Sequence, residues 1–266
     1  MKSININRIV IVGGILAGII TVSFFILPVI SLLLRCSPGI ILSSVQDPFI
    51  IHAIILSLGT AFITTVVIVL FGTPLAYIQA RKEYPGKDIV ETILDIPIIL
   101  PPAVAGIALL LLFGKKGILG FFLSEIGIQV LFTVTAIILA QLFVAGPLYV
   151  RQAKNAIVMV PVVYDQAGRT LGASSFQIII KIILPLARKG ILSGIMLTYA
   201  RAVGEFGATM MIAGNIPGKT QTMPVAIYSL LQTDMDGAIS IAVILVWITV
   251  IILVMVRVLS DRRQVC

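Results

Sequence analysis

An all-α, polytopic membrane protein of about six transmembrane helices is the fold class this sequence predicts, on three observations. Of its 266 residues 59% are hydrophobic and only 11% charged, and the mean hydropathy is +1.15, far from the usage of a soluble domain. Several apolar runs reach the about 20 residues that a helix needs to cross a bilayer core roughly 30 Å thick. Each run is bounded by Pro, Gly or charged residues, the punctuation expected at membrane surfaces.

The runs fall at about 9–34, 50–80, 90–113, 129–153, 186–213 and 238–259, within one expected membrane domain over 1–266. The first follows Lys2 and Arg8 as a secretory signal would, but it is longer than such a signal's roughly 7–15 apolar residues and lacks an A-x-A-like cleavage site. It is read as a retained first helix. Six spans put both termini on one side, and the basic residues choose that side. Connections 81–91 and 151–189 together with the termini carry fourteen Lys and Arg, including Arg81, Lys87, Arg151, Lys154, Arg169 and Lys181; the opposite side carries Arg35, Lys115, Lys116 and Lys219. By the positive-inside rule the termini and these two connections are cytoplasmic. Cys36 and Cys266 then lie on opposite sides, and no internal disulfide is expected. The formal charge of +8 is read as topology-setting rather than as a nucleic-acid surface, because the basic residues lack the aromatic interleaving of such a surface.

The 151–189 connection is the longest, and its composition is not that of a flexible linker. Pro161 suits the first turn of a helix over Val162 to Leu171, Gly172 a turn, and Ser174 or Ser175 the start of a second helix ending near Pro185. Prolines also disturb the spans: Pro28, Pro74 and Pro147, and above all Pro97, Pro101 and Pro102 within the third. A carbonyl freed by proline needs a partner in lipid, so the Pro97 to Pro102 stretch is expected to be bent and to face protein or a wet cavity.

Arg201 and Glu205 are an ionisable pair four residues apart inside the apolar fifth segment. A charge at a helix centre costs about 2.5–3.5 kcal/mol on insertion scales, so both must point inward, and the spacing lets them partner each other on one helical face. Two readings stay open: a structural ion pair between helices, or direct lining of an anion path with Thr198 and Thr209. Gly204, Gly207, Ala200 and Ala208 would allow the close helix approach that either needs. The run Ala213-Gly214-Asn215-Ile216-Pro217-Gly218-Lys219-Thr220 satisfies a relaxed phosphate-loop pattern. It follows a membrane helix rather than a strand and loses an N–H at Pro217, which argues against nucleotide binding. His52 has no partner at metal-ligand spacing, so no metal site is expected; no nucleophile, base and orienter converge, so no catalytic residue is assigned.

Gln166-Ala167-Gly168, then Gly172 four residues on, then nine residues to Ile182-Ile183-Leu184-Pro185, resembles the EAA loop of bacterial ABC importer permeases. That pattern is Glu-Ala-Ala, three residues, Gly, nine residues, Ile-x-Leu-Pro. Gln166 stands where Glu is usual, with Asp165 beside it, and Gly168 replaces the second Ala. Asp95-Ile96-Pro97-Ile98-Ile99-Leu100-Pro101-Pro102-Ala103-Val104-Ala105-Gly106 and the Arg201 to Thr209 run resemble the third-span and fifth-span motifs of the molybdate and sulfate branch. Phe206-Gly207-Ala208-Thr209 and Lys219-Thr220-Gln221-Thr222 look more like molybdate than sulfate permeases. The resemblance covers about 50–258.

It implies a type I ABC importer permease fold with a cytoplasmic coupling helix in the 154–185 loop, in the multi-pass inner membrane of a bacterial or archaeal cell. Asp165, Gln166, Ala167, Gly168, Arg169 and Gly172 would couple to the ATPase. The implied partners are a second permease copy, two cytoplasmic ABC ATPase subunits that use ATP and Mg, and an extracytoplasmic molybdate-binding protein; the chain itself would bind no cofactor. Sulfate or tungstate import is the alternative within transport, and a passive anion channel the alternative outside it.

Overall fold

The computed structural model describes residues 2–44 and 46–261. Among these residues all regular structure is helical: α1 (Lys2–Arg35), α2 (Pro38–Ser44), α3 (Pro48–Arg81), α4 (Lys87–Ile99), α5 (Pro102–Phe113), α6 (Ile118–Glu125), α7 (Val134–Val158), α8 (Val163–Thr170), α9 (Ser175–Ile178), a π-helical turn (Ile179–Ile183), α10 (Leu184–Val203), α11 (Gly207–Ala213), α12 (Met223–Leu230) and α13 (Met235–Asp261). Cys36 is a buried free thiol; Cys266 lies outside the described residues.

Four helices are long and apolar enough to cross a membrane unbroken: α1, α3, α7 and α13. The other two expected spans are each divided into two helices. In the third, α4 and α5 meet at 113°. Leu100 and Pro101 each precede a proline, and both take extended ψ angles, 134° and 136°, because the proline ring crowds the α conformation of the residue before it. Two such residues in succession end one helix, and Pro102 starts the next in the first turn, where a missing N–H costs nothing. In the fifth, α10 ends at Val203 and α11 begins at Gly207. Boundaries elsewhere move by up to seven residues, α1 beginning at Lys2 rather than 9; α7 starts at Val134 rather than 129, behind Thr133, whose hydroxyl accepts the Ala136 N–H at 3.4 Å.

The core joins α3, α7, α10 and α13 around Ala61, Ile68, Tyr149, Ala153, Ala202 and Ile241, with a second cluster between α5, α7 and α11 around Ala105, Ile137, Ala140 and Ile212. Small residues set the distances. A Cβ on Gly72 would lie 2.9 Å from the Tyr149 ring, and one on Gly190 would lie 2.4 Å from Ala156 Cβ. Because lipid supplies no hydrophobic drive between helices, such close backbone approach is what van der Waals packing requires. By contrast α1 buries none of its apolar window against the rest of the chain.

One polar network crosses this apolar centre. Gln141 on α7 donates through Nε2 to the Ala202 carbonyl at 3.0 Å and to Thr60 Oγ1 at 3.2 Å, and its Oε1 accepts from Thr64 Oγ1 at 2.8 Å. All four residues are buried, so α3, α7 and α10 are pinned by bonds with no competing water. Gln141→Leu leaves the Thr64 hydroxyl unmet and removes the bonds that Thr60 and the Ala202 carbonyl share with α7, and a buried group left without its partner costs about 1–3 kcal/mol. The variant is expected to unfold at lower temperature than the parent protein in detergent; an unchanged melting curve would show that the network holds nothing together.

Candidate translocation and coupling sites

Arg201 and Glu205 sit on either side of the α10/α11 break rather than within one continuous helix. Arg201 occupies the last turn of α10 and Glu205 follows its end. They still meet: Arg201 Nη1 lies 2.7 Å from Glu205 Oε2. Glu205 Oε1 accepts the Ala208 N–H at 2.9 Å, satisfying one of the free donors in the first turn of α11. Each charge faces the helix end that favours it, a cation at the C-terminal end of α10 and an anion at the N-terminal end of α11. The Glu205 side chain is 1% exposed and that of Arg201 34%, so the carboxylate is structural mortar and the guanidinium its reachable face. The ion pair bridges the end of α10 and the start of α11, with the Arg201 side chain partly exposed on the single chain.

Thr198 and Thr209 are fully buried within the chain, and their hydroxyl oxygens have no hydrogen-bond partner. The bent element packs directly on this region: a Cβ on Gly207 would lie 2.5 Å from Pro102 Cβ, and one on Gly106 would lie 2.5 Å from Met211 Cβ. Of the three prolines, Pro97 is half-buried, whereas Pro101 and Pro102 are exposed on the single chain.

The phosphate-loop look-alike folds on itself. The Ile216 carbonyl accepts the N–H groups of Lys219, Thr220 and Gln221, and Thr220 Oγ1 accepts the Ile216 N–H at 3.2 Å. Its donors are spent internally, which is the opposite of a phosphate cradle. Asn215, Gln221 and Ser229 complete the bonding of this loop: Asn215 Nδ2 donates to Ser229 Oγ at 2.6 Å and Gln221 Nε2 to Asn215 Oδ1 at 2.8 Å.

In the connection, α8 covers Val163–Thr170, and Gly172 turns the chain at φ 80°, a left-handed conformation that glycine takes without Cβ strain. Ser174 and Gln177 form a reciprocal capping box that opens α9. The second helix does not end near Pro185, as the sequence suggests. It passes through the π-helical turn, in which the Leu184 N–H reaches back to the Ile179 carbonyl, and continues as α10 with Pro185 in its first turn. The wider turn adjoins the position where a proline cannot donate an N–H to the preceding turn. The six sequence-assigned coupling residues divide between two faces. Gln166, Ala167, Arg169 and Gly172 are exposed; Asp165 and Gly168 are buried.

Sequence reasoning missed the partners of that inner face. Arg81 Nε lies 3.4 Å from Asp165 Oδ2, and Arg81 Nη2 donates to the Val160 carbonyl at 2.6 Å. Nearby, a polar cavity of about 230 Å³ lies between α3, α4 and α7, lined by residues that include Gln79, Glu91, Asp95, Arg151 and Lys154. Lys154 pairs with Glu91 at 2.5 Å and Arg151 with Asp95 at 4.0 Å, and these ion pairs fasten α4, which has no fully buried residue of its own. The partners are 56 to 84 positions apart in the chain, so no local pattern announces them.

The family model for the binding-protein-dependent transport system inner membrane component matches residues 72–265. The chain belongs to that family. Within it, a probable transport system permease protein of Clostridium pasteurianum, NifC, is 43% identical over 233 residues, covering 87% of this chain and 82% of that protein. The molybdenum transport system permease protein ModB of Mycobacterium tuberculosis is 35% identical over 237 residues, 89% of each chain. The sulfate transport system permease protein CysW of Escherichia coli is 34% identical over 269 residues, 99% of this chain and 91% of that one. This permease therefore lies in the molybdate and sulfate branch. A chain of a bacterial ABC transporter involved in the import of the acidic polysaccharide alginate superposes with a TM-score of 0.73 at 16% identity, covering 98% of both chains, and the fold of this permease is that of type I importers.

Removing Arg201 strands a carboxylate that has almost no contact with solvent, whereas removing the charge of Glu205 leaves a cation that is a third exposed. Arg201→Met is therefore expected to be the worse variant, by the about 3–5 kcal/mol typical of an uncompensated buried charge, and Glu205→Gln to be milder. Thermal stability and membrane insertion of the two variants would rank them; the reverse order would contradict the asymmetry of burial.

Proposed function

We propose that this permease forms, as two copies, the translocation pore of an ATP-driven importer for molybdate. Two cytoplasmic ABC ATPase subunits bind the ATP and Mg, and an extracytoplasmic molybdate-binding protein delivers the anion. In this reading the loop end of the molecule, with α8 and its flanking basic residues, is cytoplasmic, as are both termini.

The observation that carries the proposal is the exterior of α8. Val162, Val163, Tyr164, Leu171 and Phe176 are exposed on this segment together with Met159, and Leu171 is 87% and Met159 84% exposed. In the chain they flank the exposed polar residues Gln166 and Arg169, in a connection whose basic residues favour a position outside the hydrocarbon. Exposed apolar side chains gathered on a segment outside the lipid fit a protein interaction site, and a short helix fixed to two spans is suited to carry a partner's movement into the membrane. ATP-driven closure of the ATPases would then rock the attached helices as rigid bodies, giving alternating access. A tetrahedral dianion is costly to desolvate, yet a deep cationic trap would stop its release. Arg201, its charge offset by Glu205 and flanked by Thr198 and Thr209, fits a path that must let the anion go.

Molybdate is favoured by the Phe206 to Thr209 and Lys219 to Thr222 runs and by the likeness to ModB. Sulfate stands second, because CysW is similar over nearly the whole chain. In proteoliposomes holding the assembled complex, the binding protein charged with molybdate is expected to stimulate ATP hydrolysis more than the same protein charged with sulfate; stimulation by sulfate alone would reassign the cargo, and conduction without ATP would make the protein a channel. Arg169→Glu and Gly172→Pro are expected to insert normally but to lose stimulated hydrolysis, while unaltered stimulation in both would remove α8 from the coupling route.

A further inference from the structure

We infer that Arg81 and Asp165 are positioning residues that tie α8 directly to α3, so that displacement of α8 reaches two spans by separate routes. The inference rests on the importer reading above and extends it to a buried pair on the inner face of α8.

Two contacts hold α8 from within. The apolar one lies at Gly168, where a Cβ would sit 3.0 Å from Ile178 Cγ1 and 3.1 Å from Ile182 Cδ1; it leads through the π-helical turn into α10. The ionic one lies at Asp165, in the first turn of α8. Arg81 is the last residue of α3, and its guanidinium spans a three-way joint: Nε faces Asp165 Oδ2 on α8, and Nη2 bonds the Val160 carbonyl just beyond the end of α7. The side chains are 6% and 9% exposed. Each charge also complements a helix end, the cation at the C-terminus of α3 and the carboxylate at the N-terminus of α8. The main backbone packing of α8 is against α9 and the π-helical turn, and the ion pair is its direct side-chain contact with α3. Without that contact, displacement of α8 would reach α3 at second hand, through α7 or through α10, which packs on α3.

Neither charge is placed to serve the outer surface. Asp165 Oδ1 is buried without a hydrogen-bond partner, so this carboxylate is retained at a cost in desolvation that a surface residue would not bear. A pair kept under such conditions is suited to fixing one geometry. Solubility does not require it.

The test uses the assembled transporter in liposomes, with anion uptake and ATP hydrolysis measured together. Breaking one partner alone strands a buried charge and can prevent folding, so the informative variant is the double replacement Arg81→Met with Asp165→Leu; apolar replacement of a whole buried pair is often neutral or stabilising. The double variant is expected to assemble in normal yield while anion transported per ATP falls about tenfold, the size of a typical coupling between sites. Asp165→Glu, which keeps the charge, is expected to recover most of that ratio. A double variant with the parental ratio would overturn the proposal. A second measurement needs no partner: amide exchange of residues 163–170 in the isolated, detergent-solubilised chain is expected to quicken in the double variant, and unchanged exchange there would equally refute the tie. If the parental complex shows no anion-stimulated hydrolysis, the importer reading fails, and the exchange result still decides whether α8 is anchored through this pair.

Discussion

A helix that stops inside lipid must be completed by side chains from elsewhere in the chain, and that requirement organises the centre of this permease. Where α10 ends, the Ala202 carbonyl is met by Gln141 from α7; where α11 begins, the Ala208 N–H is met by Glu205. Arg201 then neutralises the carboxylate that does the capping. Protein groups thus meet part of each end, and irregular backbone at membrane depth is tolerated where protein buries it or where it lines a wet cavity. The remaining features of the core follow from holding those groups in register, since Gln141 also fixes the hydroxyls of Thr60 and Thr64 on α3.

The two divided spans lie against each other. Pro102 opens α5 where Gly207 opens α11, and the glycine leaves room for the proline ring. One break is made by the conformational limits of consecutive prolines, the other is marked by a capping carboxylate, and the two meet where Gly207 faces Pro102. Unbroken α3 and α7 flank them as struts. At the opposite end of these struts the connecting segment is gripped by an ion pair on one side and by apolar contact on the other. The centre of the molecule and its loop end thus share the same long helices.

Much of this was legible in the chain itself. Apolar length located the spans because lipid imposes one thickness on all of them. The Pro97, Pro101 and Pro102 cluster gave the bend, and Pro161, Gly172 and Ser174 gave the helix-turn-helix, because these residues act through their own backbone. The α10/α11 break was hidden, since Arg201 and Glu205 at a spacing of four suit a continuous helix equally well. The run of the second loop helix past Pro185 was hidden too: a proline tolerated in a first turn looks the same as one that ends a helix. Least visible were Gln141 with the Ala202 carbonyl and Arg81 with Asp165, partners 61 and 84 residues apart whose meeting is decided by packing alone. For the same reason the loop's six candidate residues gave no sign that Asp165 and Gly168 would turn inward.

Gly168 occupies a place where the common pattern has alanine, and the space that the missing methyl would fill is taken by the branched side chains of Ile178 and Ile182. The contact is too tight to take a methyl without one of these isoleucines giving way. A chimera that brought alanine to this place while keeping both isoleucines would inherit a clash, so the two halves of the loop have to be exchanged together.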